Sequence, residues 1–402
     1  MGVNWCCRHW QLRDLVCIPA DSPGEVMYPS DNSVHTLDLA TGKDSVTAEL
    51  EFEPRCVQAT ATVLAAGGVH DTRDARVATG PQRGLFAIRN RNTGETYTRD
   101  LGDYINNAVN LFESPMGGGG LKAVVCNNDH SLYFLDVGND RFAVEETLRL
   151  SAPLNHAAVS PDRRTVIACG DTPQVAVAHP QDGGWHVAQT FESGSDLGFS
   201  AAFHPSGTMF GVAFQDGTAR LYDVRKMGGA PLAEIRTSRP VELNGAFRCL
   251  KFSTGPEDLV FLSEQMHRVH VVDLRDFNNH QVLTIPQGFG SEDQGQDPDD
   301  EAVEPIIQSY EEVIDNGQQP SPSPPPSITS RNHHRRVYVD NHSFLQMPSS
   351  RYLRYGQNDD GISGLAWTEY DGGSIVVGTD TGIGVWKIDG WARRTFPSYT
   401  IR

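Results

Sequence analysis

Several things are scarce in this chain, and each scarcity removes a class of protein. No unbroken apolar run approaches the ~18 residues that a membrane-spanning helix requires, and the N-terminus lacks the charged start and apolar stretch of a secretory leader. The seven cysteines (Cys6, Cys7, Cys17, Cys56, Cys126, Cys169, Cys249) include no Cys-x-x-Cys pair for zinc or redox chemistry. Their odd number and apolar surroundings, as in Ala123–Cys126 and Val166–Cys169, predict reduced core thiols in a soluble cytoplasmic and/or nuclear protein. Long stretches of helical periodicity are also missing. Lys and Arg are absent from Ser291 to Asp315, which holds ten carboxylates, so much of the net charge of −18 is local. An acidic chain without a basic patch in its strand regions is not expected to bind nucleic acid or anionic membrane. Gly2 followed by Cys6 and Cys7 suggests acylation only superficially, because Cys6 stands where myristoylation needs Ser or Thr.

What the chain does have is 39 Gly and 24 Pro among short apolar segments, a composition suited to many strands and turns. Gly198 to Arg236 displays the repeating unit. Phe199–Phe203 reads as a first strand, His204–Gly207 as a turn and Met209–Phe214 as an apolar second strand. Gln215–Thr218 turns the chain again, followed by strands over Ala219–Asp223 and Leu232–Arg236. The order recurs in six other places, beginning at Leu15, Cys56, Ala108, Asn155, Phe247 and Ile362. Third-strand ends at Asp38, Arg89, Asp136, His179, Asp223 and Asp273 are 51, 47, 43, 44 and 50 residues apart. That spacing is near the ~40–45 of a WD40 repeat and has no counterpart in a sandwich. The expected fold is all-β: a single seven-bladed WD40-like β-propeller over residues 1–402.

The 116 residues from Asp273 to Asp389 leave room for one blade and an insertion. Residues 288–336 combine the acidic run with a Pro/Ser tract and cannot bury enough apolar surface to offset ordering entropy, which predicts a disordered loop between the last two blades. Ser321 and Ser323 each precede Pro there, as a target of proline-directed kinases or as inert spacer. Ring closure calls for a terminal strand in the last blade, with Trp5–Trp10 favoured over Thr395–Ile401. The oligomeric state is left open.

The endings Leu221-Tyr222-Asp223 and Val271-Val272-Asp273 resemble the WD40 repeat, although the signature Trp is absent from both. Residues 360–402, with Asp360–Trp367, Val376–Thr379, Gly384–Trp386 and Arg393–Pro397, resemble the C-terminal domain of unknown function in a family of fungal WD40-like proteins. That family is similar to a substrate receptor of the yeast GID (CTLH) ubiquitin ligase, so the resemblance implies recognition of short degron peptides. Asp223-Val224-Arg225 and Asp273-Leu274-Arg275 resemble the Asp-x-Arg ending by which WD40 receptors dock on cullin-type ligase adaptors. The bland reading is an Arg paired with a nearby carboxylate.

Catalytic and cofactor motifs are not expected. Gly117–Gly120 followed by Leu121 and Lys122 lacks the Gly-Lys-Ser/Thr ending and precedes a strand, so it is not a phosphate loop. Gly198-Phe199-Ser200 does not complete a hydrolase elbow. The histidines, including His267 and His270, find no metal-ligand spacing. The remaining candidate is the mouth where fourth-to-first and second-to-third strand loops converge, where repeat register places Asn107, Asn155, His156, Asp196, Phe199, Asn244, Arg248 and Asp360 as peptide contacts. The expectation is a non-enzymatic protein- or peptide-interaction module without cofactors. A structural scaffold subunit and a propeller enzyme such as a lactonase or hydrolase are the rival readings.

Overall fold

The computed structural model describes residues 14–70, 83–114, 119–181, 183–194, 196–239, 245–285, 361–380 and 382–388, together with the backbone of Ile307–Ser309 and Val339–Gln346. Among these residues the chain forms seven antiparallel sheets and no α-helix. The fifth blade shows the pattern. Gly198–Phe203 is innermost, followed outward by Met209–Phe214, Thr218–Asp223 and Ala233–Arg236. Met209–Phe214 reads MFGVAF and is buried on both faces apart from its first residue, because a central strand of a blade is covered by the blades on either side. Outer strands face solvent, as in Gly184–Glu192 of the fourth blade, and tolerate charge.

Seven apolar clusters each join two neighbouring blades, which makes the blades a ring rather than a row. The cluster between the seventh and first blades brings Ala366, Val376 and Ile383 against Val16, Val26 and Tyr28. Leu15 N also donates to Ser363 O at 2.9 Å across that seam. The first blade's inner position is the least regular: Leu15–Cys17 pairs with its own sheet only through a Cys17–Met27 bridge.

Closure differs from the terminal strands expected of the sequence. The outer place in the seventh blade is taken by Val339–Gln346, paired with Gly382–Ile388, while Trp5–Trp10 and Thr395–Ile401 lie outside the described residues. An open sheet edge needs a partner for its N–H and C=O groups, and a strand just upstream supplies one as well as a terminus would. Most of the insertion expected at 288–336 is also outside the described residues. Its Ile307–Ser309 adds a fifth strand to the edge of the sixth blade, against Gln281–Leu283.

Close packing within the fourth blade makes one substitution informative. A Cβ on Gly170 would come within 1.9 Å of Pro153 O, a backbone atom that cannot swing aside, whereas on Gly120 it would meet only Asp136 Oδ1 at 3.9 Å. Gly170→Ala is therefore expected to cost about 1–3 kcal/mol, and Gly120→Ala almost nothing, in paired denaturant titrations. Equal midpoints for the two variants would contradict the packing described.

Candidate functional site at the channel mouth

Six inner strands share one irregularity close to where they enter the ring. The pairing register slips around Arg55, Asn107, Asn155, Phe199, Arg248 and Ser363, in blades two to seven respectively. A bulge there turns the strand and re-aims the extra residue. In the first blade Asp14 holds the matching place, three residues before the Cys17–Met27 bridge, as Phe199 is three before the Ala202–Gly211 pair. Second strands end, and fourth-to-first loops arrive, at this same end of the ring. The bulge residues therefore encircle one mouth of the central channel.

Their side chains tie each blade to the next. Asn107 Nδ2 donates to Leu154 O at 2.7 Å in the fourth blade, and Asn155 Nδ2 donates to Gly198 O at 3.0 Å in the fifth. Asn155 Nδ2 also meets Asp171 Oδ1 at 3.0 Å. The Arg248 guanidinium lies 4.1 Å from the Phe199 ring centroid, bringing blades five and six together, and its Nη2 donates to Gln265 Oε1 at 2.8 Å. All four residues are buried. His156 sits one residue deeper, with Nδ1 accepting from Ala201 N at 3.3 Å. Asp196 is in the loop above, where Oδ1 accepts from Leu197 N at 2.8 Å. Asn244 and Asp360 lie outside the described residues, as do Ser321 and Ser323. The structure thus brings Asn107, Asn155, His156, Phe199 and Arg248 to one ring and adds Arg55, Ser363 and Asp14, which repeat register alone did not select.

Asp14 links distant blades across that ring. Its Oδ2 is 2.8 Å from Lys251 Nζ in the sixth blade and 3.4 Å from His156 Nε2 in the fourth, so one carboxylate from the first blade bridges elements across the axis. Burial would raise its pKa, but the Lys251 charge and the His156 hydrogen bond outweigh it and hold Asp14 well below the ordinary carboxylate range. Burial works against the Lys251 ammonium in the same way. The Asp14 charge overcomes it and lifts Lys251 above its usual value. Nearby thiols go the other way, with burial pushing Cys17 up to about 11 and Cys56 up to about 12, so both are protonated core groups rather than nucleophiles.

A second buried network stands behind the mouth in the sixth blade. Glu264, fully buried at the end of a second strand, accepts from Thr237 Oγ1 at 2.5 Å and pairs with Arg239 Nε at 3.1 Å and His270 Nε2 at 2.9 Å. His270 Nδ1 is 2.7 Å from His280 Nε2. Burial, reinforced by repulsion from His270, pushes His280 down to about 3. Thr237 and Arg239 belong to the loop entering the sixth blade, so this chain of contacts fixes one wall of the mouth.

The two Asp-x-Arg pieces lie at the opposite end of blades five and six. Arg225 folds back on Asp223, with Nε to Oδ1 at 2.9 Å and Nη2 to Oδ2 at 2.7 Å, and Arg275 does the same on Asp273 at 3.2 Å for each bond. Each Arg is thus held by its own repeat's Asp, and the two forks stand on adjacent blades.

Seven radial sheets around a channel, with convergent polar and aromatic groups at one mouth, define the chain as a seven-bladed WD40-like β-propeller. Residues 245–284, which are the sixth blade, match the model of an uncharacterised protein domain, DUF2415. The resemblance read from residues 360–402 falls outside that match. The chain is 36% identical over 244 residues to an uncharacterised protein of Saccharomyces cerevisiae, covering 52% of this chain and 33% of that one. It is 28% identical over 280 residues to an uncharacterised protein of Schizosaccharomyces pombe, covering 67% and 75% respectively. The chain thus spans about a third of the first relative's length. The chain is therefore similar, over part of its length, to uncharacterised fungal proteins.

Proposed function

We propose that this propeller is a non-catalytic receptor that holds a short peptide at the channel mouth and presents it to a larger assembly, with a GID/CTLH-type ubiquitin ligase as the reading carried furthest by the sequence resemblance. The observation that carries the peptide reading is the Arg248–Phe199 pair at 4.1 Å, set among the amides of Asn107 and Asn155 on a rigid ring. Arg and aromatic groups in a desolvated, preorganised setting are the groups that dominate peptide and protein recognition. The Asp223–Arg225 and Asp273–Arg275 forks support adaptor docking from the other end, which would leave the mouth open to a substrate. The cytoplasm and nucleus, where such ligases act, are the proposed compartments.

The test is an arrayed library of free decapeptides, followed by titration of those retained. Phe199→Ala and Arg248→Ala are each expected to weaken retained peptides by about 2 kcal/mol, roughly 30-fold. Affinity purification of the full chain is expected to recover ligase subunits in fixed stoichiometry and substrates in variable amounts. A wild-type protein that retains no peptide, and a fixed complex containing no ligase, would defeat the two halves of the proposal separately.

A further inference from the structure

Four bulge-position side chains on successive blades each keep a buried polar atom without a hydrogen-bond partner: Ser363 Oγ in the seventh, Asp14 Oδ1 in the first, Arg55 Nε in the second and Asn107 Oδ1 in the third. Ser363 is 0% exposed and Asn107 5%. Native folds rarely leave such atoms unmet, because each carries a desolvation cost that nothing offsets. The rest of each side chain is engaged. Asp14 Oδ2 faces Lys251, Arg55 Nη2 donates to Glu53 Oε2 at 3.3 Å, and Asn107 Nδ2 donates to Leu154 O. The unmet atoms are thus held in place by their own neighbours, and the charges among them are already balanced.

Their chemistry is mixed: two acceptors, two Arg55 donors (Nε and Nη1), and a hydroxyl able to act as either. A simple anion would leave Asp14 Oδ1 and Asn107 Oδ1 unmet, and a simple cation would leave Arg55 Nε unmet. A peptide main chain offers N–H and C=O groups in alternation, is neutral along its length, and can meet both kinds. We infer that blades seven, one, two and three form a main-chain-reading sector of the mouth, opposite the side-chain-reading sector of Phe199 and Arg248 in blades five and six. The sector rests on the peptide-receptor reading above and specifies how the peptide is gripped: backbone amides on one side, side chains on the other.

Decapeptides retained from the array serve as probes. Ser363→Ala removes a hydroxyl with no partner in the fold, so its thermal midpoint is expected to match the wild type while every retained peptide weakens roughly 5-fold, whatever its sequence. Arg55→Lys keeps the charge and loses Nε, and is expected to act in the same uniform way. Phe199→Ala should instead change which side chains are preferred. Peptides N-methylated at single amides, titrated against wild-type protein, need no protein variant and are expected to lose affinity at two or more positions. If Ser363→Ala, Arg55→Lys and the N-methyl series all bind at wild-type strength, the sector is overturned while peptide binding stands. If losses follow peptide sequence rather than backbone, side chains are being read there and the inference also fails. Absence of any retained peptide removes both readings.

Discussion

Replacing Asp14 with alanine is expected to lower the free energy of unfolding by about 3–5 kcal/mol, because Lys251 would be left mostly buried without its counter-charge. The Asp14 and Lys251 side chains are 19% and 29% exposed, so water reaches both and the lower end of that range is expected. Lys251→Met should cost a similar amount, since it removes the ammonium that balances the Asp14 carboxylate. The double variant Asp14→Val/Lys251→Met is expected to recover most of the loss, because apolar groups of similar volume often replace a buried ion pair without penalty. Denaturant titration of the wild type, Asp14→Val, Lys251→Met and the double variant gives the coupling energy directly.

The pH dependence follows from the two shifts. Asp14 is depressed in the folded state, so its contribution is present above the unfolded carboxylate value of 3.8 and is lost as pH falls towards its lower folded value. Lys251 is raised, so its contribution is complete below 10.5 and is lost as pH climbs through the higher folded value. The gap between wild type and Asp14→Ala should therefore stay flat from about pH 4 to 10. A gap under 1 kcal/mol, or one that slopes across neutral pH, would mean that the axial ion pair does not hold the ring.

The blades were legible in the sequence because their inner strands are short, apolar and separated by Gly- and Asp-bearing turns. Met209–Phe214 has the same bounds in sequence and structure, and the sixth blade's inner strand starts at Phe247 in both. Outer strands such as Asp44–Glu49, Thr96–Asp103 and Phe142–Arg149 escaped notice, since they are half exposed and carry charge at positions a buried strand would not tolerate. Four of the mouth residues, Asn107, Asn155, Phe199 and Arg248, followed from register, because a bulge at one repeat position recurs in blades two to seven. Asp14 could not be found that way. Its partners His156 and Lys251 come from blades that are not its neighbours, and no local pattern records a contact between residues 237 positions apart. Glu264 was missed for a related reason, since Thr237, Arg239, His270 and His280 gather around it only once a loop and three strands are in place.

Glu264 carries the second large expectation. Removing the carboxylate with Glu264→Ala would leave Arg239, Thr237 and His270 facing a hole, and about 3–5 kcal/mol of stability should be lost. Glu264→Gln keeps the shape and can still accept from Thr237, so a cost of about 1–3 kcal/mol is expected. Both variants should speed amide exchange at Arg239, whose N–H is held by Thr237 Oγ1 at 3.0 Å, because the entering loop loses its anchor. His280 sets the pH response of this blade. Its folded pKa of about 3 lies below the ordinary value of 6.5, so the unfolded chain binds a proton first and stability falls as pH drops from 6.5 towards 3. His280→Asn is expected to flatten that part of the curve, and Asp14→Ala should leave the slope between pH 6.5 and 4 unchanged. Unfolding midpoints measured across this range separate the two networks. If His280→Asn keeps the wild-type slope, the histidine pair is not the acid-sensitive element, and the Glu264 network acts through Arg239 and Thr237 alone.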